Sequence, residues 1–154
     1  MFEIKDTVIH PTHGVYEIYA IQNRKKQSVY VLRPKKPLPG DFKILIPKAD
    51  VKNSGVRHPI TKRKIACIFR ILAKKPDNVS QDSKKGFPLV KEKIQSGNPY
   101  KIAEVIRDLE GGMYPSTRKE YLLECAKSIL IEEIAYVRHI PKNRVNESIN
   151  RALK

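Results

Sequence analysis

Two histidines in a short turn are the first residues of this chain whose spacing could support chemistry. His10 and His13 are three positions apart and could offer two nitrogen ligands to a metal ion. No cysteine, aspartate or third histidine follows at a spacing that would complete a metal site. Because Pro11 and Gly14 interrupt the surrounding β-rich segment, the pattern favours turn residues over metal ligands. We therefore predict no metal and no cofactor.

The other candidates for catalysis are also isolated. Glu132 and Glu133 are adjacent, but adjacent residues of a helix point in different directions, so we predict a solvated face and not an acid–base pair. The glycine pair at 111–112 follows a predicted helix, as C-caps do, and does not precede one as a phosphate-binding loop would. Cys67 and Cys125 stand alone on apolar faces of predicted helices, which indicates reduced core thiols. We predict that the protein is not an enzyme.

Positive charge is the strongest signal for a binding function. The 154 residues include 31 Lys plus Arg against 16 Asp plus Glu, a formal net charge of +15, which predicts an anionic partner such as nucleic acid. Residues 61–101 carry 11 basic and 3 acidic groups, whereas residues 102–154 carry 9 and 8. A phosphate backbone should therefore bind the first two helices and the loop between them. No apolar run has the roughly 18 residues of a membrane span, and we expect a cytoplasmic, nucleoid-associated monomer that does not bind membranes.

The elements that carry these residues change type near residue 60. Residues 1–60 read as short strands broken by proline and glycine turns, which predicts a small SH3-like or Tudor-like β-barrel. Residues 61–154 show apolar positions at helical spacing, with Asn98 as an N-cap before Pro99 and Pro141 opening the last helix. The predicted fold is α+β with two domains, 1–60 and 61–154, the second a compact all-helical domain.

A basic loop before one of these helices is the best sequence candidate for a contact with nucleic acid. Ser83, Lys84, Lys85 and Phe87 place two cations beside an aromatic ring at the entry to a helix. Proteins that bend DNA combine charge with an inserted apolar side chain in this way. An ordinary solvated loop with Phe87 turned into the core explains the same residues equally well.

Three segments in order resemble the CarD/CdnL family of bacterial regulators that bind RNA polymerase. The segments are VIHPTHGVYEI, ILIPKADVKNSGVRHPI and SGNPYKIAEVIRDLEGG, and the long helix STRKEYLLECAKSILIEEI follows the last of them. The resemblance covers nearly the whole chain. It implies a first domain that binds the polymerase β subunit through a strand edge, which is a general mode of recognition by unpaired backbone groups.

The resemblance also implies particular contact residues. In the first domain the contact strand falls on residues 42–47, with contacts at Leu45 and Pro47 and neighbouring positions at Leu32 and Arg24. Lys5 stands where relatives have glycine.

In the second domain, relatives insert a tryptophan into promoter DNA at the upstream edge of the melted bubble. The matching position here is Ser83, and the chain has no tryptophan. Lys85 and Phe87 match a basic and an aromatic position of the family, and Lys84 and Lys91 complete the expected DNA-binding set. Gly86 and Pro88 should disfavour a continuous helix at this point.

We therefore expect a transcription regulator that binds the RNA polymerase β subunit through its β domain. Its helical domain should contact promoter DNA through the backbone, without reading sequence. Two alternatives remain open from the residues. An SH3-like domain joined to basic helices is also typical of RNA- or ribosome-binding proteins, and a small nuclease would need clustered carboxylates or histidines for its metal.

Overall fold

The chain forms two compact units, Met1–Pro59 and Ile60–Lys154. A computed structural model describes residues 2–35, 40, 43–75, 83–111 and 117–154, and of residues 83–87 and 117–118 it describes the backbone alone. The first unit is built of strands and the second of helices. This arrangement confirms the predicted α+β fold class.

The first unit contains a four-stranded antiparallel sheet in the order β1-β2-β3-β4. The strands are β1 Thr7–His10, β2 Gly14–Arg24, β3 Gln27–Pro34 and β4 Ile44–Pro47, and a single 3-10 turn, Lys48–Asp50, follows β4. Residue 42, which the sequence places in the last strand, lies outside the described residues. Since each strand pairs with the next along the chain, short turns connect most of the sheet.

Side chains alternate between the two faces of the sheet, and at residues 29–32 of β3 both faces are buried, whereas β4 exposes one face. The buried core of the unit consists of Val8, Tyr16, Ile18, Tyr30, Leu32, Ile46 and Val56. A β-bulge interrupts the pairing of β2 and β3 between Ile18 and Ala20, so Tyr19 is an extra residue on β2. Lys5 has a φ of 76°, a left-handed conformation that explains why glycine suits this position in relatives.

The second unit packs five helices around one core. They are α1 Lys62–Ala73, α2 Ser83–Gln95, α3 Pro99–Gly111, α4 Thr117–Arg138 and α5 Lys142–Ala152. The largest fully buried side chains are Ile65, Ile68, Leu72, Ile102, Ile106, Leu109, Leu130 and Ile134. Helix α3 packs against α1, α2 and α4, and α4 packs against all four other helices. No helix in the described ranges is long and apolar enough to cross a membrane.

Caps set the helix boundaries as the sequence predicted. The Asn98 side chain accepts a hydrogen bond from the backbone N–H of Tyr100 at 2.9 Å, and Pro99 takes the first helical position. Helix α5 begins directly after Pro141. Helix α4 ends with His139 at a φ of 56°, where the N–H of Ile140 reaches back to the carbonyl of Ala135, a Schellman arrangement.

Three expectations about the helical unit are corrected by the structure. Glu133 is fully buried instead of solvated, and its Oε2 accepts a hydrogen bond of 2.7 Å from the N–H of Ile60. Helix α2 runs continuously through Pro88, because losing one backbone hydrogen bond is offset when Val90 and Ile94 pack into the core. Cys67 and Cys125 are half-buried, at the margin of the core and not inside it.

Candidate functional site

The outward face of the β-sheet brings most of the predicted polymerase-binding residues together. Val31 of β3 pairs with Leu45 and Val29 with Pro47, so these four residues form two adjacent rows on one face. On the other side of β3, Val29 pairs with Gln22. Two residues further along β2 lies Arg24, on the same face and at the same end of the sheet as Pro47. We call this surface the outer face.

Leu45 is the exposed apolar residue of the outer face. Its side chain is 47% exposed, whereas its neighbour Ile46 points inward and is 7% exposed. Pro47 is half-buried and ends the pairing, because it has no N–H to donate. Arg24 is exposed, and its Nε donates to Oε1 of Gln22 at 3.1 Å. The outer face therefore presents an apolar centre with a cation at one end.

Leu32 does not belong to this surface. The register pairs it with Ile18 on one side and Ile44 on the other, which places it on the inward face of the sheet. Its side chain is completely buried in the core of the unit. The expectation that Leu32 contacts a partner is therefore corrected: its side chain stabilises the sheet from within and does not reach the surface.

An aromatic residue flanked by two cations adjoins Leu45 and was missed in the sequence. Tyr19 is 43% exposed. The guanidinium of Arg33 lies 4.4 Å and the ammonium of Lys43 lies 4.3 Å from the centre of its ring. Lys43 is two residues before Leu45 and hence on the same face. Cation–π contacts of this kind hold exposed side chains in fixed positions. The bulge at Tyr19 hid the cluster, because it breaks the simple alternation of β2.

The edge strand β4 supplies backbone groups as well as side chains. In the described part of the chain, β4 pairs with β3 and with no second strand. One row of N–H and C=O groups is thus free to pair with an added strand. The opposite edge is different, since β1 exchanges backbone hydrogen bonds of 2.7 and 3.2 Å between Ile9 and Arg57. Of the two edges, β4 is therefore the one better suited to pair with a strand of another chain.

Helix α2 carries the residues predicted to contact DNA. Ser83, Lys84, Lys85 and Phe87 lie in its first turns, and their side chains are outside the described part of the structure. Lys91 is exposed and lies about 100° around the helix from the buried Val90.

The same helix also exposes an apolar side chain that sequence reasoning overlooked. Leu89 is 57% exposed, and the preceding Pro88 is exposed as well. Position 85, a lysine, lies about one helical turn before Leu89 on the same face, and a basic and an apolar residue together can bind phosphate and insert between base steps. The signal was available in the sequence, because Leu89 lies next to the inward-facing Val90 and off its buried stripe.

Hydrogen bonds to the ring of His10 close the histidine turn. Nδ1 of His10 accepts hydrogen bonds from the backbone N–H groups of Thr12 and His13, at 3.1 and 3.3 Å. Burial, together with the nearby His13, lowers the pKa of His10 to about 4, so the ring is neutral at neutral pH. Among the residues that the structure describes, no three metal-ligating side chains cluster together.

Comparison with known proteins places both units in one family. Residues 2–60 match the model of the CarD-like/TRCF RID domain, and residues 67–150 match the model of the CarD C-terminal domain. The chain is also 26% identical over 154 residues to a Bacillus subtilis (strain 168) protein named "Putative transcription factor YdeB". The match covers 94% of this chain and 97% of that protein. The two domain matches follow one another in the order of the two structural units. The chain is therefore a member of the CarD/CdnL family of transcription regulators.

Proposed function

We propose that the protein is a non-enzymatic transcription regulator with two contacts. The outer face and the free edge of β4 bind the RNA polymerase β subunit, and helix α2 binds the backbone of promoter DNA without reading its sequence. The protein acts in the cytoplasm at the nucleoid, where both partners are found. The observation that carries this proposal is the unpaired β4 edge with Leu45 exposed beside it.

The β4 edge has the features that strand addition requires. Backbone groups of β4 supply hydrogen bonds that any extended segment can use, and exposed side chains on the outer face supply selectivity. Leu45 offers apolar area at the centre, while Arg24, Arg33 and Lys43 surround it with positive charge. The expected partner surface is therefore an exposed strand of the β subunit with an apolar pocket and acidic residues around it.

Helix α2 supplies the contact with DNA in the second unit. Its exposed Lys91 and the lysines at 84 and 85 neutralise phosphates, and Leu89 adds an exposed apolar side chain on the same helix. Phosphate contacts position a protein on DNA without specifying bases, which fits a regulator that acts at many promoters. Binding to the polymerase makes the DNA contact effectively intramolecular, so a weak contact suffices.

A pull-down with matched variants tests the polymerase contact. Leu45→Arg introduces a long charged side chain into the apolar centre of the outer face. We expect it to weaken binding to the β subunit by about tenfold or more, since an unpaired charge would be buried at the interface. Ile4→Arg is the control, because Ile4 is 55% exposed in the same unit but lies outside the outer face. It should bind as the wild type does.

Three results would redirect the proposal. Equal binding by the two variants would place the contact away from the outer face. Retention of ribosomes in nuclease-treated extracts, without polymerase, would favour the RNA-binding alternative instead. Magnesium-dependent cleavage of plasmid DNA by the purified protein, lost in a point mutant, would contradict the absence of enzymatic activity.

A further inference from the structure

Outside helix α2, the helical unit has a second concentration of positive charge. Residues 61–75, which include α1, contain six lysines and arginines and no aspartate or glutamate. All six cations are exposed, and at 3.6 residues per turn four of them lie within about a third of the helix circumference. These four are Lys62, Arg63, Arg70 and Lys74, and we call them the α1 stripe. The buried residues Ile65, Ile68 and Leu72 occupy the opposite side of the helix.

The α1 stripe does not stabilise the fold through ion pairs in the described part of the chain. Elsewhere in the unit, Lys93 pairs with Glu104 at 3.5 Å and Lys127 with Glu110 at 3.4 Å. No described carboxylate lies within salt-bridge distance of the α1 stripe, and the first turn of α1 has no acidic residue. Cations at a helix N-terminus oppose the helix dipole. Lys62 and Arg63 at the N-terminus of α1 therefore oppose the dipole, and a bound anion would offset that repulsion.

Helix α5 extends this positive surface, because it packs against α1. The guanidinium of Arg138, at the end of α4, lies 5.3 Å from the centre of the Phe69 ring on α1. Residues 138–154 contain five lysines and arginines and one acidic residue, Glu147. Lys142, Arg144 and Arg151 are exposed on α5. Helices α1 and α5 thus are in contact and both carry exposed cations, although they come from two distant parts of the sequence.

We infer that the surface of α1 and α5 is a second binding site for the phosphate backbone of duplex DNA, separate from the α2 contact. The inference rests on the proposed function for the assignment of DNA to the helical unit. From Lys62 to Lys74 the α1 stripe is about 18 Å long at 1.5 Å per residue. That length spans about five phosphates of one strand.

The shape of α1 favours a duplex over single-stranded nucleic acid. Ala66 and Ala73 are exposed within the same arc as the cations, and their small side chains let a sugar-phosphate backbone approach closely. Proteins that bind single strands stack bases on exposed aromatic rings. Phe69 is the aromatic residue of α1, and it is partly buried beneath Arg138. A straight row of cations without an exposed ring matches the regular backbone of a double helix.

Charge-matched variants of the full-length protein test this second site. The first variant combines Lys62→Gln, Arg70→Gln and Lys74→Gln, all at exposed helical positions where glutamine is well tolerated. The second combines Lys26→Gln, Lys52→Gln and Lys101→Gln, which removes the same charge from other exposed positions. Binding to a labelled DNA duplex of mixed sequence is measured by fluorescence anisotropy over a range of salt concentrations, and circular dichroism checks that both variants are folded.

The site predicts a clear difference between the two variants. At 0.1 M salt the α1 variant should bind DNA at least about tenfold more weakly than the wild type. Its slope of log affinity against log salt should become less negative by about two to three. The control variant should stay within about twofold of the wild type. Equal weakening of both variants would mean that net charge acts diffusely, and wild-type binding by the α1 variant would exclude the site.

Two further measurements distinguish a failure of this inference from a failure of the proposed function. Lys91→Gln alters α2 alone, so weak DNA binding by Lys91→Gln beside normal binding by the α1 variant would leave the proposed function standing and reject the second site. Single-stranded RNA and an RNA duplex serve as competitors. If either displaces the protein from the DNA duplex more effectively than unlabelled DNA does, the surface recognises RNA and the inference fails.

Discussion

The outer face of the β unit and the basic surface of the helical unit recognise partners by different physics. The outer face depends on register: a shift of β4 by one residue would turn Leu45 to the inward face of the sheet. The α1 stripe depends on charge, and its cations need only share an arc of a helix. The first contact should therefore depend on shape, with a smaller salt dependence from the cations around Leu45, whereas the second should depend mainly on charge and weaken strongly with added salt.

The largest expected effect is a loss of stability in the helical unit alone. Ile106 is fully buried at the centre of the helical core, so Ile106→Ala should destabilise the helical unit by about 2–5 kcal/mol. Hydrogen exchange should accelerate throughout the helices and remain unchanged in the strands. Leu89→Ala, at an exposed apolar position of the same unit, is the control and should change stability by about 0.5 kcal/mol or less. Faster exchange in both units would show that they unfold together.

A smaller effect is expected at the buried carboxylate. Glu133→Ala removes the acceptor of the Ile60 N–H, and we expect a loss of about 1–3 kcal/mol from the helical unit. Glu132→Ala is the adjacent control, since Glu132 is only half-buried. Chemical denaturation followed by circular dichroism measures both. Equal losses in the two variants would contradict the role assigned to the Ile60 hydrogen bond.

The N-cap of α3 should contribute less to stability than the buried Glu133 does. Asn98→Ala leaves the N–H groups of Tyr100 and Lys101 without their side-chain acceptor, at a cost of about 1 kcal/mol. Asn98→Ser should recover most of the loss, because serine caps nearly as well. A stability unchanged by Asn98→Ala would show that water replaces the cap.

The pH dependence of the β unit should be the mildest effect. Because the folded-state pKa of His10, about 4, lies below the ordinary value of 6.5, protonation favours the unfolded state. The unit should lose stability as pH falls from about 6.5 to about 4, with no further loss from His10 below that range. His10→Asn keeps an acceptor for the turn and removes the titration, so thermal unfolding should depend less on pH. A His10→Asn variant that keeps the wild-type pH dependence would contradict this role of His10.

The sequence predicted the boundaries of helices better than it predicted which individual side chains are buried. Asn98 and Pro141 marked helix starts correctly, because capping is a local interaction between neighbouring residues. Glu133 was misjudged because α4 packs against all four other helices, so more than one of its faces is covered. Leu32 was misjudged because the resemblance supplies a position along β3 but does not say which face of the sheet the side chain occupies.

The candidate sites show the same limit. The order of the strands is enough to place Leu45 and Pro47 on one edge. The position of Tyr19 between Arg33 and Lys43 depends on a β-bulge, which local sequence patterns do not predict. Likewise, the charge of α1 is plain in the sequence. Its union with α5 is a tertiary contact between segments about 80 residues apart, and local periodicity carries no information about it.

Hydrogen exchange of the full chain, alone and bound to the RNA polymerase β subunit, tests the central claim most directly. Strand addition at β4 would give its outward amides new acceptors, so exchange at residues 44–46 should slow strongly on binding while β1 changes little. Unchanged exchange in β4, with protection appearing instead at β1 or in the helices, would contradict the account.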